Sequence, residues 1–290
     1  MAHVLLVVSA AQAVDVVTSC DASCSSVNCE LGRDLQCCAN SNVCPDGSGP
    51  ITLANGKNLD LDGNSIECFC GTLTCNGGSN NNALCFVASD CPGGSCENQT
   101  GCTTCGAAVT IQGSGSQVLN GAPEQGTIFG PWSPAVDCDG NSGTRVQKVT
   151  FVGIAGNGAV DCAQVDQNVF QGGGGTAIVT SGIADSDYIR DNHVDDYPTG
   201  ILVTGTKGVR VDHNLVSLRR SDSSGIAGID VSEATSTGLE VDHNVIMGVG
   251  TLPIDGNASG VFTENYCNPL SAECASCTKC ATPTPPFEQP

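Results

Sequence analysis

One short phrase returns five times between Val165 and Asn265, and it limits what this chain can fold into. The copies read Val165-Asp-Gln-Asn168, Ile189-Arg-Asp-Asn192, Val211-Asp-His-Asn214, Val241-Asp-His-Asn244 and Phe262-Thr-Glu-Asn265. Successive Asn residues are 24, 22, 30 and 21 positions apart. A recurring signature at a period of roughly 20–30 residues marks stacked structural units, not a closed globule. The segments between the copies are short alternating or apolar runs bounded by Gly and Asn, which read as strands and tight turns. Together these features predict an all-β coil of parallel strands.

Composition narrows the function classes. Thirty acids against ten bases give a net charge of −20, which excludes broad nucleic-acid binding and disfavours a generally anionic partner. A local basic patch or bound cations would relax that restriction. No segment has the roughly 18 uninterrupted apolar residues of a membrane-spanning helix.

Twenty cysteines in 290 residues point to disulfides and an oxidising compartment. They fall into even groups: six in 20–44, eight in 68–105, Cys138 with Cys162, and four in 267–280. Even local counts suit locally closed bridges. Zinc is the rival reading for Cys102-x-x-Cys105 and Cys274-x-x-Cys277-x-x-Cys280, but neither has a His or a paired motif nearby. The start agrees with export, because Val4 to Ala13 is an apolar run ending in Ala11-Gln-Ala13. Val17-Thr-Ser-Cys20 offers the alternative of a lipid anchor through Cys20. Residues 1–19 therefore read as signal peptide and short leader, 20–50 as a cysteine-rich cap, and 51–267 as the coil. Within the coil, 68–105 reads as a cysteine-rich insertion. Residues 268–290 read as a C-terminal cap and Pro-rich tail.

Leu31-x-x-Asp34-Leu35-x-Cys37, Leu59-Asp-Leu61-Asp-Gly-Asn-Ser-Ile66 and the Asn phrase resemble the right-handed parallel β-helix superfamily. That superfamily includes pectate lyase-like proteins and many secreted β-helix repeat proteins. The resemblance covers roughly 31–66 and 108–267. It implies three strands per rung, with an inward Asn at the short turn between the second and third. Val165, Ile189, Val211, Val241 and Phe262 then point inward from the second strand. Asp166, Arg190, Asp212, Asp242 and Thr263 form an outward column beside them. Arg190 would pair with Asp166 and Asp212. Asp212 above Asp242 sets two like charges one rung apart, which bind a cation such as calcium, raise one pKa, or splay into water. His213 and His243 stack at the turn, either as a solvated pair or as metal ligands.

In the first strand, Ile178, Ile201, Ile229 and Ile254 form an inward stack, with Val179, Leu202, Asp230 and Asp255 outward. Carbohydrate-active members bind sugar along this outward face. Carried over by position, the candidate groove joins Asp195, Asp196, Tyr197, Arg219, Arg220, Asp222, Asp230 and Asp255. Tyr197 would stack on a sugar ring, with Asp195, Asp196 and Asp222 binding substrate. Arg219 and Arg220 would hold a uronate, and Asp230 and Asp255 would act as acid and base. A solvated charged loop is the alternative.

The chain departs from the lyase pattern. Arg210 stands where those enzymes have Trp, and no R-x-P-x-x-R follows. Of the polygalacturonase set only Asp195-Asp196 is present. The expectation is a secreted, monomeric β-helix protein that engages extracellular polysaccharide. If it is an enzyme, it is a lyase or glycoside hydrolase acting on a uronate-containing glycan. The alternative is a non-catalytic adhesive scaffold at the cell surface.

Overall fold

The computed structural model describes residues 14–37, 46, 49–68, 73–77, 94–98, 105–181, 187–205, 208–218, 227–235, 238–248, 252–256 and 260–268. Among them there is no helix. Parallel sheets of ten, nine and eight strands wind as a right-handed parallel β-helix. One turn of the coil, a rung, gives one strand to each sheet. Gln164–Asp166 lies in the ten-stranded sheet, Val169–Gln171 in the nine-stranded sheet and Thr176–Thr180 in the eight-stranded sheet, before Asp187–Arg190 rejoins the first. A separate antiparallel pair, Leu73–Gly77 with Gly94–Asn98, belongs to none of the three. The Cys68–Cys105 disulfide joins the two ends of the chain segment that contains it.

Alternation in each strand sends every second side chain inward, and register stacks these side chains rung upon rung. Leu59, Val118, Val146, Val165, Ile189, Val211 and Val241 form one buried column. Ile178, Ile201, Ile229 and Ile254 form another, as alternation predicts. A third runs through Ile66, Ile128, Phe151, Phe170, Val194 and Val216. Phe151 and Phe170 stack with centroids 4.5 Å apart, so even the aromatics obey the rung spacing.

The repeated Asn sits inside the corner between the ten- and nine-stranded sheets, fully buried in every copy. From Asn192 onward, each side-chain oxygen accepts from the backbone N–H and the Nδ2 of the Asn one rung earlier. Asn192 Oδ1 takes both from Asn168, Asn214 from Asn192, Asn244 from Asn214 and Asn265 from Asn244, at 2.9–3.1 Å. Each Nδ2 from Asn168 onward also donates back to a main-chain carbonyl of the preceding rung, such as Val165 O from Asn192. No amide in the column is left unpaired in a dry corner, where each orphan would cost about 1–3 kcal/mol. The residue before each Asn is left-handed: Gln167, Asp191, His213, His243 and Glu264 have φ between 52° and 57°. That conformation is unfavourable for a non-glycine residue, and the ladder holds it in place.

Three details differ from the sequence reading. Val14–Val17, assigned to the leader, forms the first strand of the ten-stranded sheet, with Val17 buried in the core. Cys20 is disulfide-bonded to Cys37 and fully buried, so its sulfur is not free to carry a lipid. Tyr197 is the third. Plain alternation after the outward Asp195 would place Tyr197 outside, but a register shift at Asp196 (φ 60°) turns it inward. Its ring is fully buried, edge-on to Phe170 with centroids 6.3 Å apart, and it fills space that a Cβ on Gly173 would invade. It cannot stack on a sugar.

Among the described residues, the inward column of Leu59 and Cys29 carries Asp15 next, not an apolar residue. Ser25 Oγ and Ser26 N–H bond its carboxylate and hold its pKa below the usual carboxylate value.

Two outcomes are expected. Asn214→Ala should remove about 3 kcal/mol of stability in chemical denaturation, because it strands donors on Asn192 as well as losing its own bonds. Tyr197 has a buried hydroxyl with no hydrogen-bond partner, and burial pushes its pKa up. Tyr197→Phe should therefore fold at least as stably as the parent. A phenol that resists ionisation only when folded contributes stability that is lost as pH rises past about 10, where the unfolded chain ionises. Melting curves from pH 8 to 11 should fall less steeply for Tyr197→Phe.

Candidate functional site

The outer face of the ten-stranded sheet carries two polar columns side by side. One runs Gln117, Arg145, Gln164, Tyr188, Arg210 and Glu240; the other runs Gln147, Asp166, Arg190, Asp212, Asp242 and Thr263. The register of the second column is the one that the Asn alignment requires. Its ion pairing is not. Asp166, with no exposed side-chain surface, is held by Arg145 Nε and Nη2, both at 2.8 Å. This two-pronged bond raises the Arg145 pKa further and takes both Asp166 oxygens.

Asp212 and Asp242 are also taken. Arg210 reaches up its own column and straddles them, with Nε 3.5 Å from Asp212 Oδ2, Nη2 3.4 Å from Asp242 Oδ2, and Nε 3.9 Å from Glu240. His213 Nδ1 lies 3.0 Å from Asp212 Oδ2 and His243 Nδ1 3.1 Å from Asp242 Oδ2. The two imidazoles stack 4.9 Å apart and nearly parallel, and His243 Nε2 is 2.6 Å from Glu264 Oε2. The repulsion expected between Asp212 and Asp242 is thus met by a guanidinium and two imidazoles. Each carboxylate still has a buried Oδ1 without a hydrogen-bond partner. Among the described residues no group of three or more His, Cys, Asp or Glu is placed to hold a metal ion.

Arg190 is left over. Its guanidinium donates no hydrogen bond among the described residues, and its closest carboxylate is Asp191 at 4.0 Å. It lies instead over the Tyr188 ring, 4.4 Å from the centroid, and the Tyr188 hydroxyl is fixed by Gln164 Oε1 at 3.0 Å. Beside this pair opens a polar cleft of about 300 Å³ lined by Asp187, Tyr188, Arg190, Arg210, Asp212 and Glu240. Gly208 and Gly238 also line it. Their backbones approach so closely that a Cβ on Gly208 would come within 2.8 Å of the Gly238 carbonyl oxygen.

The residues assigned from sequence are spread over other parts of the coil. Asp230 and Asp255 are register neighbours on the outer face of the eight-stranded sheet, both half-buried. Asp230 Oδ1 accepts from Ser232 N and Oγ at 3.0 and 2.7 Å. Asp195 and Asp196 lie in the nine-stranded sheet, within His193–Tyr197, and both are exposed. Arg219, Arg220 and Asp222 fall outside the described residues. Arg145, Tyr188 and Glu240, absent from the sequence assignment, sit in the column next to the Asp–Arg column. One alternation step from the Asn phrase reaches Tyr188 and Glu240, while Arg145 lies in the rung before the first copy.

No protein-family model, curated protein or solved structure matches this chain. The fold and the geometry of its surfaces therefore carry the functional argument.

Arg210→Ala should uncover two mostly buried carboxylates and lower stability by roughly 1–2 kcal/mol, a figure moderated by the guanidinium's own exposure. The same change made in an Asp242→Asn background should cost less. A double-mutant cycle by urea denaturation measures the difference.

Proposed function

We propose that this is a secreted β-helix protein that engages extracellular polysaccharide along the outer face of its ten-stranded sheet. An acidic sugar would place its carboxylate on Arg190. The observation that carries this reading is the state of Arg190, a guanidinium held by Tyr188 in a cleft after both of its register partners have been taken by other cations. A planar fork of N–H donors held in place loses little freedom on binding a carboxylate. Glu240, exposed on the same cleft, can accept sugar hydroxyls.

The net charge of −20 works against a polyanion, but charges beyond about 8 Å are largely screened at physiological salt, so local groups decide. Closed disulfides among the described residues fit an oxidising extracellular setting. Asp230 and Asp255, the acid and base expected from sequence, stand on the outer face of a different sheet and cannot reach a glycan seated at Arg190. The binding reading therefore does not depend on them, and any cleavage by them would be a separate event on that other face. Calcium could enter at Asp212 and Asp242 only by displacing Arg210.

Titration calorimetry with uronate oligosaccharides tests the binding claim. Arg190→Ala should weaken binding by about tenfold or more, as the loss of a charge-assisted contact implies. Equal binding by the variant, or no uronate binding by the parent, would overturn it. New unsaturated or reducing ends, lost in Asp230→Asn, would establish cleavage.

A further inference from the structure

The eight-stranded sheet presents a surface of a different kind. Its outward column runs in unbroken register through Asp137, Val160, Val179, Leu202, Asp230 and Asp255, each half-buried. Three neighbouring aliphatic side chains are thus bracketed by one carboxylate at one end and two at the other. At a strand spacing of about 4.8 Å, Asp137 and Asp230 stand roughly 19 Å apart along the coil axis.

The bracketing carboxylates are held by their own turns. Asp137 Oδ1 accepts from Asp139 N at 3.0 Å, and Asp230 Oδ1 from Ser232 N and Oγ. No strand of this sheet contains a Lys, Arg or His among the described residues, whereas the ten-stranded sheet carries Arg145, Arg190 and Arg210. None of the ion pairs among the described residues involves Asp137, Asp230 or Asp255. Among the described residues the face is therefore apolar in the middle, with carboxylates at both ends that no ion pair compensates.

A surface of this kind complements a ligand with cations at its ends and aliphatic groups between them. A uronate glycan has neither, and an anionic lipid surface has the wrong charge. An extended basic peptide has both. We propose that the outer face of the eight-stranded sheet docks an extended basic-aliphatic peptide segment of a protein partner, laid along the coil axis. At about 3.3 Å per residue, cations about six residues apart would reach Asp137 and Asp230. The alternate side chains between them would cover Val160, Val179 and Leu202. The site is separate from the Arg190 cleft and does not depend on glycan binding there.

Fluorescence anisotropy with the full chain tests this, using a short synthetic peptide with lysines about six apart and leucines at the two alternate positions between. Saturable binding is expected, weakened about tenfold or more when the leucines become serines or the lysines become glutamates. In the protein, Leu202→Lys should abolish binding. Asp137→Asn, which keeps the oxygen that accepts from Asp139, should weaken binding at least threefold without a change in melting temperature, and it carries the test if Leu202→Lys folds poorly. Four results would overturn the proposal: no binding, equal binding of the serine peptide, binding indifferent to Asp137→Asn in a folded protein, or Leu202-dependent capture of a glycan in place of the peptide.

Discussion

The hydrogen bond from each buried Asn to the next is the interaction on which the rest of the coil depends. A corner that turns within two residues needs one left-handed backbone position and exposes main-chain N–H groups to a dry interior. A single amide per rung satisfies both its own donors and those of its neighbour. The ladder also locks register, since an amide can meet its partner only when the rungs are aligned. A slip by one residue would turn every Val and Ile column outward.

Fixed register has a cost on the outer face, because whatever stands at one position is set directly above its counterpart in the next rung. Two Val-Asp-His-Asn copies in succession must stack Asp on Asp and His on His. The chain accommodates the acids through the adjacent column, where Arg210 reaches both carboxylates and Nδ1 of each imidazole faces its own Asp. The same logic earlier in the stack gives Asp166 to Arg145 and leaves Arg190 resting on Tyr188. The cleft beside Arg190 thus arises as a by-product of a stacking problem.

The features that periodicity controls were legible in the sequence. Aligning on Asn placed Val165 and its successors inside, stacked His213 on His243, and put Val179, Leu202, Asp230 and Asp255 in one outward line. Interruptions of the period were not legible. The bulge at Asp196 inverts Tyr197, and no composition signal marks it. The rung containing Arg145 has Val149 N–H, in place of an Asn amide, donating to Asn168, so the phrase that served as a ruler begins one rung too late to reveal the Arg145–Asp166 bond. The candidate cleft was missed because side chains of neighbouring columns interlock, while an alignment treats each column alone.

Asp15 bears on how such coils change length. A stack of identical rungs has no intrinsic stop, because any unpaired strand edge invites another strand to continue it. A carboxylate tethered in the inward column, as Asp15 is by Ser25 and Ser26, makes an apolar side chain stacked directly on it costly whatever the number of rungs on its other side. Whole rungs can then be duplicated or deleted elsewhere in the coil without disturbing that local bias.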